Sequence, residues 1–183
     1  GAGKSTLLNL IHARLGDTAA LIPQDLGLVQ ALNVFHNVYM GRLHQFSLWK
    51  NIRNLFIPTR TAVELIKPIL TCLRLEDKIF TNVSELSGGQ QQRTAVGRAI
   101  FSPNEVLIAD EPVSSVDEHQ AREILQHLNN YKKTVILAMH DRSLAIEFTD
   151  RLIGIKDGKI ILDAPSGEMS PSDLDHLYQK TTH

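Results

Sequence analysis

The sequence predicts an α/β fold: a mainly parallel sheet flanked by helices. Two observations carry this. Three short, continuous apolar runs occur, at residues 19–23 (AALIP), 105–110 (EVLIAD) and 134–140 (TVILAMH). They alternate with stretches whose apolar residues recur at helical spacing. Strands that read as continuous apolar runs suit a parallel sheet buried on both faces.

Taken in order, residues 5–15 read as a helix directly after a glycine loop, with Gly16 as its stop. AALIP follows as a short buried strand. From Val29 to Ile79 the pattern turns helical, and Leu65, Ile66, Ile69, Leu70 and Leu73 recur on one helical face. Pro68 sits inside that run and predicts a kink or a split. EVLIAD and TVILAMH supply the second and third strands. Residues 151–163 (RLIGIKDGKIILD) read as a hairpin turning at Asp157 and Gly158. Residues 170–179 (SPSDLDHLYQ) read as a late helix, with Ser170 at the N-cap and Pro171 in the first turn.

Composition bounds the answer. A chain of 183 residues has the size of one domain or one compact unit of two subdomains. With 43% hydrophobic and 21% charged residues it can bury a core. The net charge of −1 leaves no general basic footprint, so bulk electrostatics give no reason to expect nucleic acid as a partner. The single cysteine, Cys72, excludes an internal disulfide, suits a reducing compartment, and reads as a small buried apolar residue. Nothing approaches the ~18 consecutive apolar residues of a membrane span.

Residues 1–6, GAGKST, match the second half of a phosphate-binding loop, G-x-x-x-x-G-K-[ST]; the pattern's first glycine would lie ahead of Gly1. Gly1, Ala2 and Gly3 would let the backbone wrap phosphate oxygens with N–H groups turned inward, and the following helix adds its positive end. Lys4 can reach the β- and γ-phosphates of ATP. Ser5 can place its hydroxyl on Mg²⁺, and Thr6 can bond the α-phosphate side. Asp110 and Glu111 end the second strand run, where ligands of open α/β sheets sit. Asp110 is thus a candidate Mg²⁺ holder opposite Ser5, and Glu111 a candidate base for an attacking water. His140 ends the third strand run on the same sheet edge, within reach of γ-phosphate and Glu111. The other seven histidines show no metal-ligand spacing.

Residues 86–93, LSGGQQQR, are the most specific stretch. Ser87 suits an N-cap and Gln90 completes a capping box, while Gly88 and Gly89 leave the backbone uncovered. Exposed N–H groups, a hydroxyl and a helix dipole make a second anion site. One ATP does not need two such sites from one chain, whereas two chains placed head to tail would offer one from each.

The ordered set GAGKST, Gln24, LSGGQ, LIADEP, SSVD and His140 resembles the ATP-binding-cassette (ABC) ATPases, and the resemblance covers essentially the whole chain. It implies a P-loop NTPase fold of ABC type: one domain over 1–183, with 1–28 and 94–183 forming a RecA-like core and about 29–93 a helical subdomain ending in the signature motif. It implies that Leu86, Ser87, Gly88, Gly89 and Gln90 contact ATP held by a partner copy in a homodimeric sandwich. Gln24 becomes the Q-loop glutamine near Mg²⁺, Ser114, Ser115, Val116 and Asp117 the D-loop, and His140 the switch histidine. Two departures stand out. Gln24 follows Lys4 by only 20 positions, which predicts a reduced antiparallel β-subdomain. The strands that precede the phosphate loop in the family, with their adenine-stacking aromatic, have no counterpart here, so the chain is expected to be N-terminally incomplete.

The segment VFHNVYMGRLHQFSLWKNIRNLF is similar to that of phosphonate-type bacterial importer ATPases. This resemblance implies an ATP-hydrolysing subunit on the cytoplasmic face of the inner membrane. It would energise uptake of phosphonate or a related oxyanion by docking a membrane permease on its helical subdomain, fed by a solute-binding protein. Phe46, Trp49 and Phe56 read equally as packing inside that subdomain or as an exposed apolar groove. The alternative is a soluble ABC ATPase acting on nucleic acid or ribosomes; against it, the chain has no room for long coiled coils and carries one cassette.

Overall fold

A computed structural model describes residues 3–174. Its centre is a three-stranded parallel sheet in the order β1-β2-β3: β1 Ala19–Ile22, β2 Val106–Asp110 and β3 Thr134–Ala138. All three apolar runs therefore form strands. Register pairs Ile22 with Ala109 and Asp110 with Ala138, so the three strands end along one edge.

The pleat sorts the strand residues onto two faces. Ala19, Ile108 and Ala138 pack against Leu8 of helix α1, Lys4–Leu15. Ala20, Ile22, Leu107 and Ala109 turn the other way, into the main core. There they meet helices α2 (Val34–Tyr39), α4 (Arg60–Cys72), α5 (Gly88–Phe101) and α6 (Glu118–Tyr131). The chain between β1 and β2 makes the helical excursion expected from residue 29 onward; α3, Leu48–Phe56, lies within it.

After β3 come α7, Arg142–Phe148, and an antiparallel pair, β4 Arg151–Lys156 and β5 Lys159–Pro165. This is the expected hairpin. Asp157 and Gly158 at its turn have φ of +50° and +73°. It is the one antiparallel pair of strands among the described residues. Between α1 and β1 lies a single 3₁₀ turn, Gly16–Thr18, so the reduction expected there goes as far as no strand at all.

Four expectations need correction. α4 runs through Pro68 as one helix rather than two. Pro68 and Glu64, whose carbonyl loses its partner, both face solvent, while Ile66, Ile69 and Leu70 on the opposite side are buried. Leu65 leaves the apolar stripe, at 49% exposure. Cys72 is half-buried, and burial still pushes its thiol pKa up. Of the late helix, Pro171–Leu174 is a 3₁₀ turn and Ser170 bonds Asp173; the rest lies outside the described residues.

Candidate nucleotide site

At the carboxyl edge of the sheet a cleft of about 400 Å³ opens between α1, the end of β1 and the end of β2. Ser5, Gln24 and Asp110 line it together. Strand-end placement in the sequence sets Asp110 opposite Ser5, and the family resemblance adds Gln24. Neither singles out Asn9, one helical turn beyond Ser5, or Asp25, which line the same cleft. Ser5 is there because α1 starts at Lys4, after Gly3 with its left-handed backbone at φ +93°. Asp110 is buried at 7% exposure as the last residue of the central strand. Gly1 and Ala2 lie outside the described residues, and Thr6 is exposed.

Beside the cleft a polar chain links the phosphate loop to the strand ends. His140 Nε2 lies 2.8 Å from Glu111 Oε1. Lys4 Nζ lies 3.4 Å from both His140 Nδ1 and the Met139 carbonyl. An ammonium can only donate, so Nδ1 must accept; the imidazole then carries its proton on Nε2 and donates it to the carboxylate. Glu111 itself has a left-handed backbone, φ +54°. Its N–H donates to the Ala138 carbonyl at 3.0 Å, which ties it to β3.

The signature stretch is built as its residues dictate. Gln90 N–H donates to Ser87 Oγ, and Ser87 N–H donates to Gln90 Oε1 at 3.0 Å, completing the capping box at the start of α5. Leu86 is buried as an anchor, whereas Ser87 and Gly88 are exposed. None of these residues lines the cleft. Gly88 and Gly89 lie instead against Ser115 and Val116. A Cβ on Gly89 would stand 3.1 Å from the Ser115 carbonyl and 3.3 Å from Val116 Cγ1, so only glycine fits that contact without a shift. Asp117 caps α6 by accepting from Gln120 N–H at 2.9 Å. That backbone bond, followed by the Gln120 side chain, holds its carboxyl below the usual range.

Two further side chains of α5 reach the site's loops. Arg98 donates to the carbonyls of Gly27 and Leu26, at 2.5 and 2.7 Å. Both residues have positive φ, +55° and +64°, and they follow Gln24 closely. The buried Gln92 bonds Glu111 and Ser115. Their partners are distant in sequence, so no local pattern could have announced them.

Comparison with known proteins identifies the fold and the family. Residues 1–114 match the family model described as ABC transporter. The chain is 34% identical to the phosphonates import ATP-binding protein PhnC of Lactococcus lactis, over 98% of its own length and 84% of the relative's. It is 35% identical to a PhnC of Pseudomonas syringae pv. tomato, over 97% and 77% of the two chains. A dimeric bacterial ABC transporter cassette superposes with a TM-score of 0.76 at 23% identity, covering 90% of this chain and 81% of that one. The same cassette bound to ADP and Pi superposes at 0.71 with 24% identity, over the same shares. Those structural likenesses establish the fold. With the family match and the relatives above 30% identity, they show that the chain belongs to the ABC transporter family, as an ATP-hydrolysing cassette.

Proposed function

We propose that this chain is the ATPase subunit of a bacterial ABC importer for phosphonate or a related oxyanion, working as a homodimer that closes around two ATP molecules. The observation that carries the catalytic part is the chain Lys4–His140–Glu111 at the strand ends, beside the cleft lined by Ser5, Gln24 and Asp110. Lys4 and the start of α1 neutralise charge on the β- and γ-phosphates. Glu111 accepts a proton from the attacking water, and His140 orients that carboxylate. Ser87, Gly88 and Gly89 present N–H groups and the α5 dipole to the γ-phosphate bound by the partner copy.

The polar side chains lining the cleft are the Ser5 hydroxyl, the Asn9 and Gln24 amides and the Asp25 and Asp110 carboxylates, all able to offer oxygen, which fit a hard cation that keeps waters and takes substrate phosphates as further ligands. Ser5, Gln24 and Asp110 would hold Mg²⁺, whose charge would offset that of the phosphates.

The importer assignment is supported by the relatives, which are named phosphonates import ATP-binding proteins. No described helix is long and apolar enough to cross a membrane. In this reading, attachment to the cytoplasmic face of the inner membrane comes through a permease, itself served by a solute-binding protein. We assign residues 1–28 and 94–183 to the core and about 29–93 to the helical subdomain that docks the permease. α3 in that subdomain exposes Leu48, Trp49 and Phe56 at 71%, 81% and 78%. Phe46, by contrast, stacks on Tyr39 at 5.0 Å and packs against the core.

The test is Glu111→Gln. ATP binding should persist, while turnover falls by about 10²–10⁴, the range for loss of a positioned base. Unchanged turnover would overturn the catalytic assignment.

A further inference from the structure

Gln92 is 1% exposed, in the second turn of α5, and its carboxamide is fully engaged by one short segment. Its Nε2 donates to the Glu111 carbonyl at 2.8 Å and lies 3.4 Å from Ser114 Oγ. Its Oε1 accepts from Ser115 N–H at 2.7 Å. One amide thus closes both ends of the turn that runs from the second strand into Ser115. Donor and acceptor are matched in only one orientation, because Glu111 offers an oxygen and Ser115 an N–H. Glu111 is thereby fastened on both sides of its left-handed backbone: N–H to β3, and carbonyl to α5.

A Leu or Met of similar volume would fill this place without needing two partners. What the amide adds is a link between two parts of the site. α5 starts at Gly88 with Ser87 as its cap, and Glu111 carries the carboxylate that meets His140. We propose that Gln92 is a positioning residue for hydrolysis: its carboxamide sets the backbone of Glu111, and so the aim of its carboxylate, according to where the signature helix lies. The proposal rests on Glu111 being the base.

The test uses the full ATPase with Gln92→Glu and Gln92→Met. The first keeps shape and the acceptor toward Ser115 but removes the donor to Glu111; the second removes both bonds without adding charge. Each should lower kcat about 10- to 100-fold, as expected for a misplaced catalytic group, with KM for ATP within about two-fold of the parent. In a Glu111→Gln background, single-turnover hydrolysis should fall by no more than about two-fold further, because the residue acts through Glu111. A kcat within about two-fold of the parent, or a full further loss in that background, would overturn the proposal. If Gln92→Glu does not fold, Gln92→Met decides alone. Should Glu111→Gln itself leave turnover intact, the reading of Glu111 fails; if that variant is dead and the Gln92 variants are normal, only the present inference fails.

Discussion

Lys132 shows how much a single buried charge can reveal. It is 6% exposed and donates to the carbonyls of Ser102 and Asn104, at 2.7 and 2.8 Å, just past the end of α5. Arg42 donates to the Phe101 carbonyl beside it and lies over the Phe101 ring. Two cations thus meet the negative end of the helix dipole. Burial first, and repulsion from Arg42 second, lower the Lys132 pKa from 10.5 to about 8. Between those two values the unfolded chain holds the extra proton, so stability rises with pH through that window; below about pH 8 both states are charged and the burial cost is felt in full. Urea denaturation at pH 7 and pH 9.5 should therefore show the wild type gaining on Lys132→Met as pH rises. A loss would contradict the account. Nothing in the sequence announced Lys132, since one of two adjacent lysines in the polar stretch NNYKKT reads as solvated. Gly89, Ser87, Lys4 and Glu111 were legible because their chemistry is written in neighbouring residues.

At the scale of elements, α5 does more than carry the signature. Its first turn holds the capping box, its middle reaches Glu111 and Ser115 through Gln92, and Arg98 grips Leu26 and Gly27. The packing is close. A Cβ on Gly41 would stand 2.5 Å from the Arg98 carbonyl, so only glycine lets that segment lie against α5. α3 is the opposite case. Asn54 is its one buried residue, and Trp49 and Phe56 face solvent. The sequence left those aromatics open between core and surface because spacing alone cannot say what covers a helical face. Trp49→Ser with Phe56→Ser should leave the ATPase rate of the isolated subunit within about two-fold, since surface changes usually cost little stability. The same pair should abolish co-purification with the permease. Retained association would remove α3 from the docking face.

Over the whole molecule, the fold was legible wherever a period of apolar residues met a turn signal. The strands and the hairpin came from runs of four to seven residues, as found in β1 to β5. Pro68 misled because its effect depends on which side of α4 faces water, and that is decided by tertiary packing. The separation of the cleft from the signature stretch was also foreseeable from the two anion-binding patterns. Within one chain, Ser5 and Asp110 line the cleft, whereas Ser87 and Gly88 lie outside its lining and exposed. That separation is the ground for expecting a second copy to complete each ATP site. The most direct measurement is the mass in solution, by light scattering, of the full protein carrying Glu111→Gln, with Mg·ATP and then with Mg·ADP. The account predicts twice the subunit mass with ATP and the single mass with ADP. A single mass with both nucleotides would contradict it.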